Sequence, residues 1–288
     1  MSKISYDDAN AGKADFEWTY NRLDPRAYFD VLGALDYAIP ERAAPVFLRI
    51  FDAYATRHER DTLTAIDLGC SYGINAAILK YGRKMSELRE HYLSFGDDAT
   101  PREILEADKR EFAAGKARPD LRVVGLDRAQ FASSYGYWAG TLDDAIPENL
   151  EENEPSVHAV EALSHCDFII STGVVGYVTE RTFERIIACR APDAQPRVAS
   201  FVLRMFDYGP IATKLAAQDY VTEKLEGRYF KQRRFANAGE QSHVEQLLRE
   251  RGINPEGMEG NGHYLAEFFL SRPKRDAEAQ PLCSILPR

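Results

Sequence analysis

"TAIDLGCSYGIN", residues 64–75, decides how the rest of this chain is read. A short apolar run of β character ends in Asp67, glycines follow at 69 and 73, and "INAAILKYGRKM" then carries a helical pattern. Strand, glycine turn and helix start are thus packed into a dozen residues. In a doubly wound sheet, ligands bind beyond the carboxyl ends of the strands. A glycine there lets the backbone approach a ligand without a Cβ in the way, and the helix start aims unpaired N–H groups at the same spot. Several nucleotide-like ligands suit that arrangement, and Asp67 narrows the choice. A pyrophosphate repels a carboxylate at the head of its cradle, and the spacing departs from G-x-G-x-x-G. A ligand carrying an ammonium and a sulfonium tolerates that acid. The next strand, "LRVVGLD", ends in Asp127, and a carboxylate at a second strand tip accepts hydrogen bonds from both ribose hydroxyls. An acid before the glycines and an acid on the next strand together point to a nucleoside that carries an amino acid.

Outward from that unit, strands alternate with helices. "DFIIST", "RVASFVLRMF", "RYFKQRRF" and "HYLAEFFLS" read as further strands, and "TERTFERIIACR" and "GEQSHVEQLLRERG" as helices. "DYGPIATKLAAQDYVTEKL" reads as helical throughout. The expected fold is α/β: a doubly wound, mostly parallel sheet with helices on both faces. An N-terminal helical arm and cap, residues 1–61, precedes it. The sheet domain covers residues 62–272, with a charged helical insertion at about 81–119, and a proline-rich peripheral tail covers 273–288.

The 288 residues are 44% apolar and 28% charged, ordinary for a soluble globular chain, and no run approaches the roughly 18 apolar residues of a membrane span. The N-terminus has no apolar signal region, and Cys70, Cys166, Cys189 and Cys283 lack metal-ligand spacing, so reduced thiols in the cytoplasm are expected. No HxxH or HExxH pattern occurs, and no metal is expected. A net charge of −9 argues against a nucleic-acid surface. The cations of "RYFKQRRF" (Arg228, Lys231, Arg233, Arg234) read as a solvent-facing strand edge, with anchoring of an anionic substrate as the alternative. Arg204, inside the apolar "FVLRMF", needs a partner, either a cleft acid or the substrate.

At "AIDLGCSYG", "VVGLD" and "CDFIISTGVVGYV", taken in that order, the chain resembles the class I S-adenosylmethionine-dependent methyltransferases over residues 60 to 271 or so. The resemblance implies their seven-stranded sheet and S-adenosylmethionine as cofactor. Gly69, Cys70, Ser71 and Gly73 would line the donor's amino-acid end, Asp67 would sit near its ammonium, and Asp127, with Arg128 beside it, would hold the ribose. Ser171, Thr172 and Gly173 would face the donor methionine and the acceptor, and Tyr177 would reach over the reacting centre as a candidate catalytic and substrate residue. Ser71 stands where the family has its middle glycine, and a serine there is able to cap the helix. The third strand of the family is not visible in the sequence. Asp143 or Asp144 is available for an adenine contact, although "TLDD" also reads as a helix start.

Phe16, Trp18, Tyr20 and Tyr28 are placed to close over the cleft as a lid, with Trp18 and Tyr20 as substrate contacts, or else to anchor the arm. His165, His243 and His263 are candidate bases, each also explicable as structural. The expected activity is methyl transfer to a small-molecule acceptor, at N or O. One alternative consumes S-adenosylmethionine without methyl transfer, closing its amino-acid arm to azetidine-2-carboxylate with release of methylthioadenosine. Another is a non-catalytic cofactor-binding module. The sequence leaves the acceptor open, and the choice between monomer and homodimer.

Overall fold

The computed structural model describes residues 5–287; the start of the arm, residues 1–4, and residue 288 lie outside it. The arm holds α1 (Tyr6–Asn10), α2 (Glu17–Tyr20), α3 (Arg26–Gly33) and α4 (Ile39–His58). The alternating region follows as β1 (Leu63–Leu68), α5 (Ile74–Tyr81), α6 (Met85–Leu93), α7 (Pro101–Ala114), β2 (Leu121–Leu126), α8 (Gln130–Ala139), β3 (Asp144–Ile146), α9 (Val157–Leu163), β4 (Phe168–Thr172), α10 (Glu180–Ala188) and β5 (Arg197–Leu203). The chain ends with α11 (Gly209–Ala216), β6 (Tyr220–Lys224), β7 (Phe230–Arg234), α12 (Ala238–Glu250), β8 (His263–Pro273), α13 (Lys274–Ala279) and α14 (Leu282–Ile285).

One sheet orders the strands β3-β2-β1-β4-β5-β8-β6, with β7 also on β8. The first five in that order run parallel, and β8 enters antiparallel between β5 and β6. β6 pairs with Phe269–Pro273 and β7 with the earlier part of β8, so the two are halves of a single interrupted edge. Counted that way, the sheet has the seven-stranded form expected from the sequence. The order reverses between β1 and β4, and a ligand crevice is expected at that switch point.

The core lies on both sides of the sheet. Phe47 and Phe51 of α4 pack on Phe168, Phe201 and Phe268 of β4, β5 and β8, with ring centroids 4.6–6.5 Å apart. α4 is therefore a layer of the sheet domain, while α1–α3 form the arm proper. The insertion folds as α6 and α7, Thr100 and Glu103 forming a capping box around Pro101. It docks on the arm through Phe29 stacked on Tyr92 at 4.7 Å.

Three local expectations are corrected. "TLDD" leads into the short edge strand β3 instead of a helix: the Asp143 carboxylate accepts from Val123 N (2.7 Å) and Lys80 Nζ (2.9 Å), which fixes the chain beside β2. "DYGPIATKLAAQDYVTEKL" is helical only to Ala216; Asp219 adopts φ +63°, and the β-branched run after it becomes β6. The tail is docked, not loose. Asp276 is buried against Arg197, and Leu282 and Leu286 are buried as well.

Candidate functional site

β1 and β2 are neighbours in parallel register, Asp67 lying opposite Gly125, so Asp67 and Asp127 end adjacent strands on the same edge of the sheet. Between them the turn holds Gly69 and Gly73 at φ +76° each, in the left-handed region that glycine occupies without strain. Gly69 is also closely packed: a Cβ there would lie 2.7 Å from Val174 Cγ2 of the loop after β4. Gly69→Ala should therefore cost about 1–3 kcal/mol, read as a shift in urea midpoint, combining backbone strain with that clash.

Ser71 does not cap α5. It takes φ +48°, and the N-cap is Gly73, which has no side chain to offer. The Cys70 side chain is buried and points at Gly125, so only its main chain is available to a ligand. The two carboxylates bracket the turn. Asp127 accepts from Ser71 N on one oxygen and from Ala129 N on the other, both at 2.8 Å. A carboxylate has about four lone-pair sites, so acceptor capacity remains for two hydroxyl donors. Burial raises the Asp127 carboxyl above its ordinary value, against the opposing pull of those N–H groups.

Asp67 is fully buried. Its Oδ1 accepts from Asn75 Nδ2 (2.8 Å), and the same amide reaches Thr172 Oγ1 (3.1 Å) at the tip of β4. Burial, and then the nearby charge of Asp127, push Asp67 up to about 7 despite the Asn75 bond. Asp67 Oδ2, Ser71 Oγ and Asn75 Oδ1 are all buried without partners. Buried acceptors without donors are costly. All three lie at or just after the glycine turn.

The arm lies across this end of the sheet. Glu17 pairs with Arg128 (2.6 Å), and Asn21 Oδ1 accepts from Phe131 N (2.8 Å). Arg22 N donates to Tyr72 Oη (2.9 Å), which in turn donates to Thr19 O. On the other side, Asn10 Nδ2 donates to Gly176 O (2.7 Å) and Lys13 Nζ to Tyr177 Oη (2.6 Å). Of the four aromatics considered for a lid, Tyr28 is core, Trp18 is exposed, Phe16 stacks against Arg233 and Tyr20 is half-buried. Burial raises Tyr20 well above the ordinary phenol value, with the charges of Tyr37, Tyr177 and Asp127 acting in the same direction. Tyr37 is in the same condition and senses Asp67.

Other expected site residues have other duties. Ser171 is buried and its hydroxyl donates to Ser200 (3.0 Å) within the sheet, leaving Thr172 and Gly173 at the crevice edge. Arg204 is held by Glu259 (2.6 Å) and stacks on Tyr229, so its burial needs no substrate. Asp143 and Asp144 stand at the start of β3, the end away from the ligand edge, which removes both from adenine contact. A register shift between Lys231 and Arg234 turns Gln232 and Arg233 both inward. Arg233 is consequently buried on Glu240 (2.7 Å) instead of facing solvent, while Arg228, Lys231 and Arg234 remain exposed. His243 lies under the arm, 3.2 Å from Ala9 O. His91, Asp108 and Glu111 have metal-ligand spacing, but each ring nitrogen of His91 faces a carboxylate, at 2.6 and 3.1 Å.

Four residues beside the candidate site carried no signal in the sequence: Asn75, Tyr37, Gln232 and Lys13. Asn75 sat inside what read as an apolar helix, and the other three are brought to the crevice by the arm and by the far edge of the sheet. The Gln232 amide lies 2.4 Å from where a Cβ on Gly173 would be.

No family model and no curated protein matches the sequence. Among solved structures, the chain is similar to the plantazolicin methyltransferase BpumL in complex with SAH, at 11% identity, TM-score 0.43, and 92% and 94% of the two chains covered. It is also similar to the magnesium protoporphyrin IX methyltransferase ChlM from Synechocystis PCC 6803 with bound SAM (10%, TM-score 0.38, 93% and 89% covered). A third is a cyclopropane-fatty-acyl-phospholipid synthase-like protein from Lactobacillus casei ATCC 334 (13%, TM-score 0.40, 85% and 97% covered). The likeness is weak in each case, and the fold rests on the sheet itself. With β8 set antiparallel between β5 and β6 at the end of an otherwise parallel sheet, the chain has the doubly wound, mostly parallel α/β architecture expected from its sequence.

Proposed function

We propose that this chain is an S-adenosylmethionine-dependent methyltransferase acting on a small-molecule acceptor in the cytoplasm. The observation that carries the reading is the group of unpaired buried acceptors, Asp67 Oδ2, Ser71 Oγ and Asn75 Oδ1, in a turn bracketed by two strand-tip carboxylates. The ammonium of the donor would satisfy Asp67, and its ribose hydroxyls would use the free lone pairs of Asp127. The donor supplies an already activated methyl group. The protein's part is to align an acceptor with it and to keep water out. Thr172, Gly173 and Tyr177 border the acceptor side, and the arm seals it. A small acceptor is favoured because the arm is strapped over the crevice on both flanks. No helix of the described residues is long and apolar enough to cross a membrane.

The second reading, consumption of S-adenosylmethionine by ring closure, is favoured by that same seal, since it needs no entry path for an acceptor. One assay separates the readings. The chain is incubated with S-adenosylmethionine, with and without a panel of aromatic amines and phenols. Methyl transfer predicts S-adenosylhomocysteine only when an acceptor is present. Methylthioadenosine formed from the donor alone would replace that reading with cyclisation, and turnover of either kind disposes of the non-catalytic module.

A further inference from the structure

The arm delivers a lysine to the acceptor side of the crevice and holds it there. On either side of Lys13, Ala9 O contacts His243 Nε2 (3.2 Å), Asn10 Nδ2 donates to Gly176 O (2.7 Å), and Ala14 N donates to Glu240 Oε1 (2.8 Å). Gly12 is pressed so closely on the His243 ring that a Cβ would fall 2.2 Å from it. The backbone on both sides of Lys13 is thereby fixed to the loop after β4 and to α12. Its Nζ lies 2.6 Å from Tyr177 Oη, 4.3 Å from the centre of that ring and 5.6 Å from that of Phe206. No carboxylate pairs with it among the described residues: Glu240 is engaged by Arg233, Ala14 N and Ala236 N, and Glu17 by Arg128. The charged and titratable groups around it are Arg233 and Glu240, His243 beneath the arm, Tyr177, and Asp15 and Glu17 along the arm. A flexible, strongly hydrated side chain held against the rings of Tyr177 and Phe206, beside a fixed guanidinium, is out of place as an anchor.

We propose that Lys13 and Tyr177 form a proton relay serving a hydroxyl acceptor, whose nucleophilic oxygen still carries its proton. The inference rests on the methyltransferase reading and deepens it by naming the acceptor's chemistry. Tyr177 touches the acceptor, and Lys13 acts through it. As the acceptor's heteroatom forms its bond to the methyl carbon, the carbon–sulfur bond breaks and its electron pair stays on sulfur. The acceptor's proton passes to Tyr177 Oη, and the phenol's own proton passes to the lone pair of Lys13. The positive charge lost by the sulfonium thus reappears as the Lys13 ammonium, and the net charge of the system is unchanged. Burial, followed by the charge of Arg233, lowers the Lys13 amine to about 7, so a large fraction is neutral in the neutral pH range. Tyr177 is 56% exposed, and the part of it that is covered raises the phenol, which keeps it protonated between turnovers.

The test is competitive labelling of the full chain with trace acetic anhydride from pH 6 to 11, read by peptide mass spectrometry, alongside calorimetry with S-adenosylhomocysteine. Lys13 should label with a midpoint near 7, well below that of a model lysine. A Lys13 midpoint near 10 with S-adenosylhomocysteine still bound overturns the relay and leaves the methyltransferase reading intact. Absence of binding overturns that reading whatever Lys13 does. With an acceptor that turns over, Lys13→Arg keeps the cation and the reach but loses the lone pair. It should lower kcat at least 100-fold with KM little changed, and Tyr177→Phe should do the same. If Lys13→Arg retains kcat and the acid limb of the pH profile, Lys13 is an anchor of the arm and the relay is wrong.

Discussion

Asp67→Asn weakens S-adenosylmethionine binding and at the same time stabilises the unliganded protein at pH 8. The affinity loss should be about 100-fold, because a charge-assisted bond to an ammonium is worth about 1.5–3 kcal/mol and an amide recovers little of it. The stability gain follows from the titration of a buried acid. Burial raises Asp67 from its ordinary 3.8 to about 7. An acid raised on folding contributes fully below its unfolded value and loses that contribution as pH rises through the folded one. The folded protein therefore loses stability relative to the unfolded chain between about pH 4 and pH 7, by up to about 1.4 kcal/mol per unit. Asparagine does not titrate and still accepts from Asn75, so the variant should be about 2–4 kcal/mol more stable at pH 8 and close to wild type at pH 4. Urea melts at the two pH values check the stability, and calorimetry checks the affinity. The same linkage makes donor binding release a proton near pH 6, since an ammonium at Asp67 favours the carboxylate. Heats measured in buffers of different ionisation enthalpy report it. A variant less stable than wild type at pH 8 would mean that Asp67 is a structural acid.

Glu240→Leu is expected to cost about 3–5 kcal/mol, the largest loss of stability at any single site considered, because it strands a buried guanidinium. Glu240 accepts both Arg233 nitrogens, at 2.7 and 3.0 Å, and the N–H groups of Ala236 and Ala14 at 2.6 and 2.8 Å. It joins β7, α12 and the arm at one carboxylate. Burial by itself would raise Glu240; the Arg233 bonds and the two N–H groups outweigh it and hold the acid at about 2. An acid lowered on folding stabilises above its unfolded value and loses the effect as pH falls through the folded one. The contribution is thus complete at neutral pH and disappears only in strong acid. Arg233→Met combined with Glu240→Leu should recover most of the loss in denaturant melts, since the cost lies in the unpaired charge. The double variant should still bind the donor weakly, because Ala14 has lost its acceptor and the arm its anchor. A double variant as unstable as Glu240→Leu would place the cost in the lost backbone bonds.

The half of the candidate site that is local was legible in the sequence. Asp67, Gly69, Gly73 and Asp127 lie within single strand–turn units, where alternation, glycine and an acid at a strand tip speak directly. The parallel half of the sheet was legible for the same reason, each strand being a short apolar run between turns. β3 and β6 were not, because a strand of three residues and one that follows a helix after only Ala217, Gln218 and Asp219 leave no period to read. The acceptor side was hidden for a different reason. Lys13, Tyr37, Gln232 and Tyr177 come from the arm, the α3–α4 link, the far sheet edge and the loop after β4, and nothing in their neighbouring residues says that they meet. Arg233 shows how a bulge defeats alternation: one extra residue turned a cation read as solvent-facing into a buried ion pair.

A crystal structure of the full chain with S-adenosylhomocysteine tests the central claim most directly. The account predicts the ligand's amino group within hydrogen-bond reach of Asp67, both ribose hydroxyls on Asp127, and the chain between them lying along Gly69–Gly73. A ligand bound elsewhere, or one at the turn touching neither carboxylate, would contradict it.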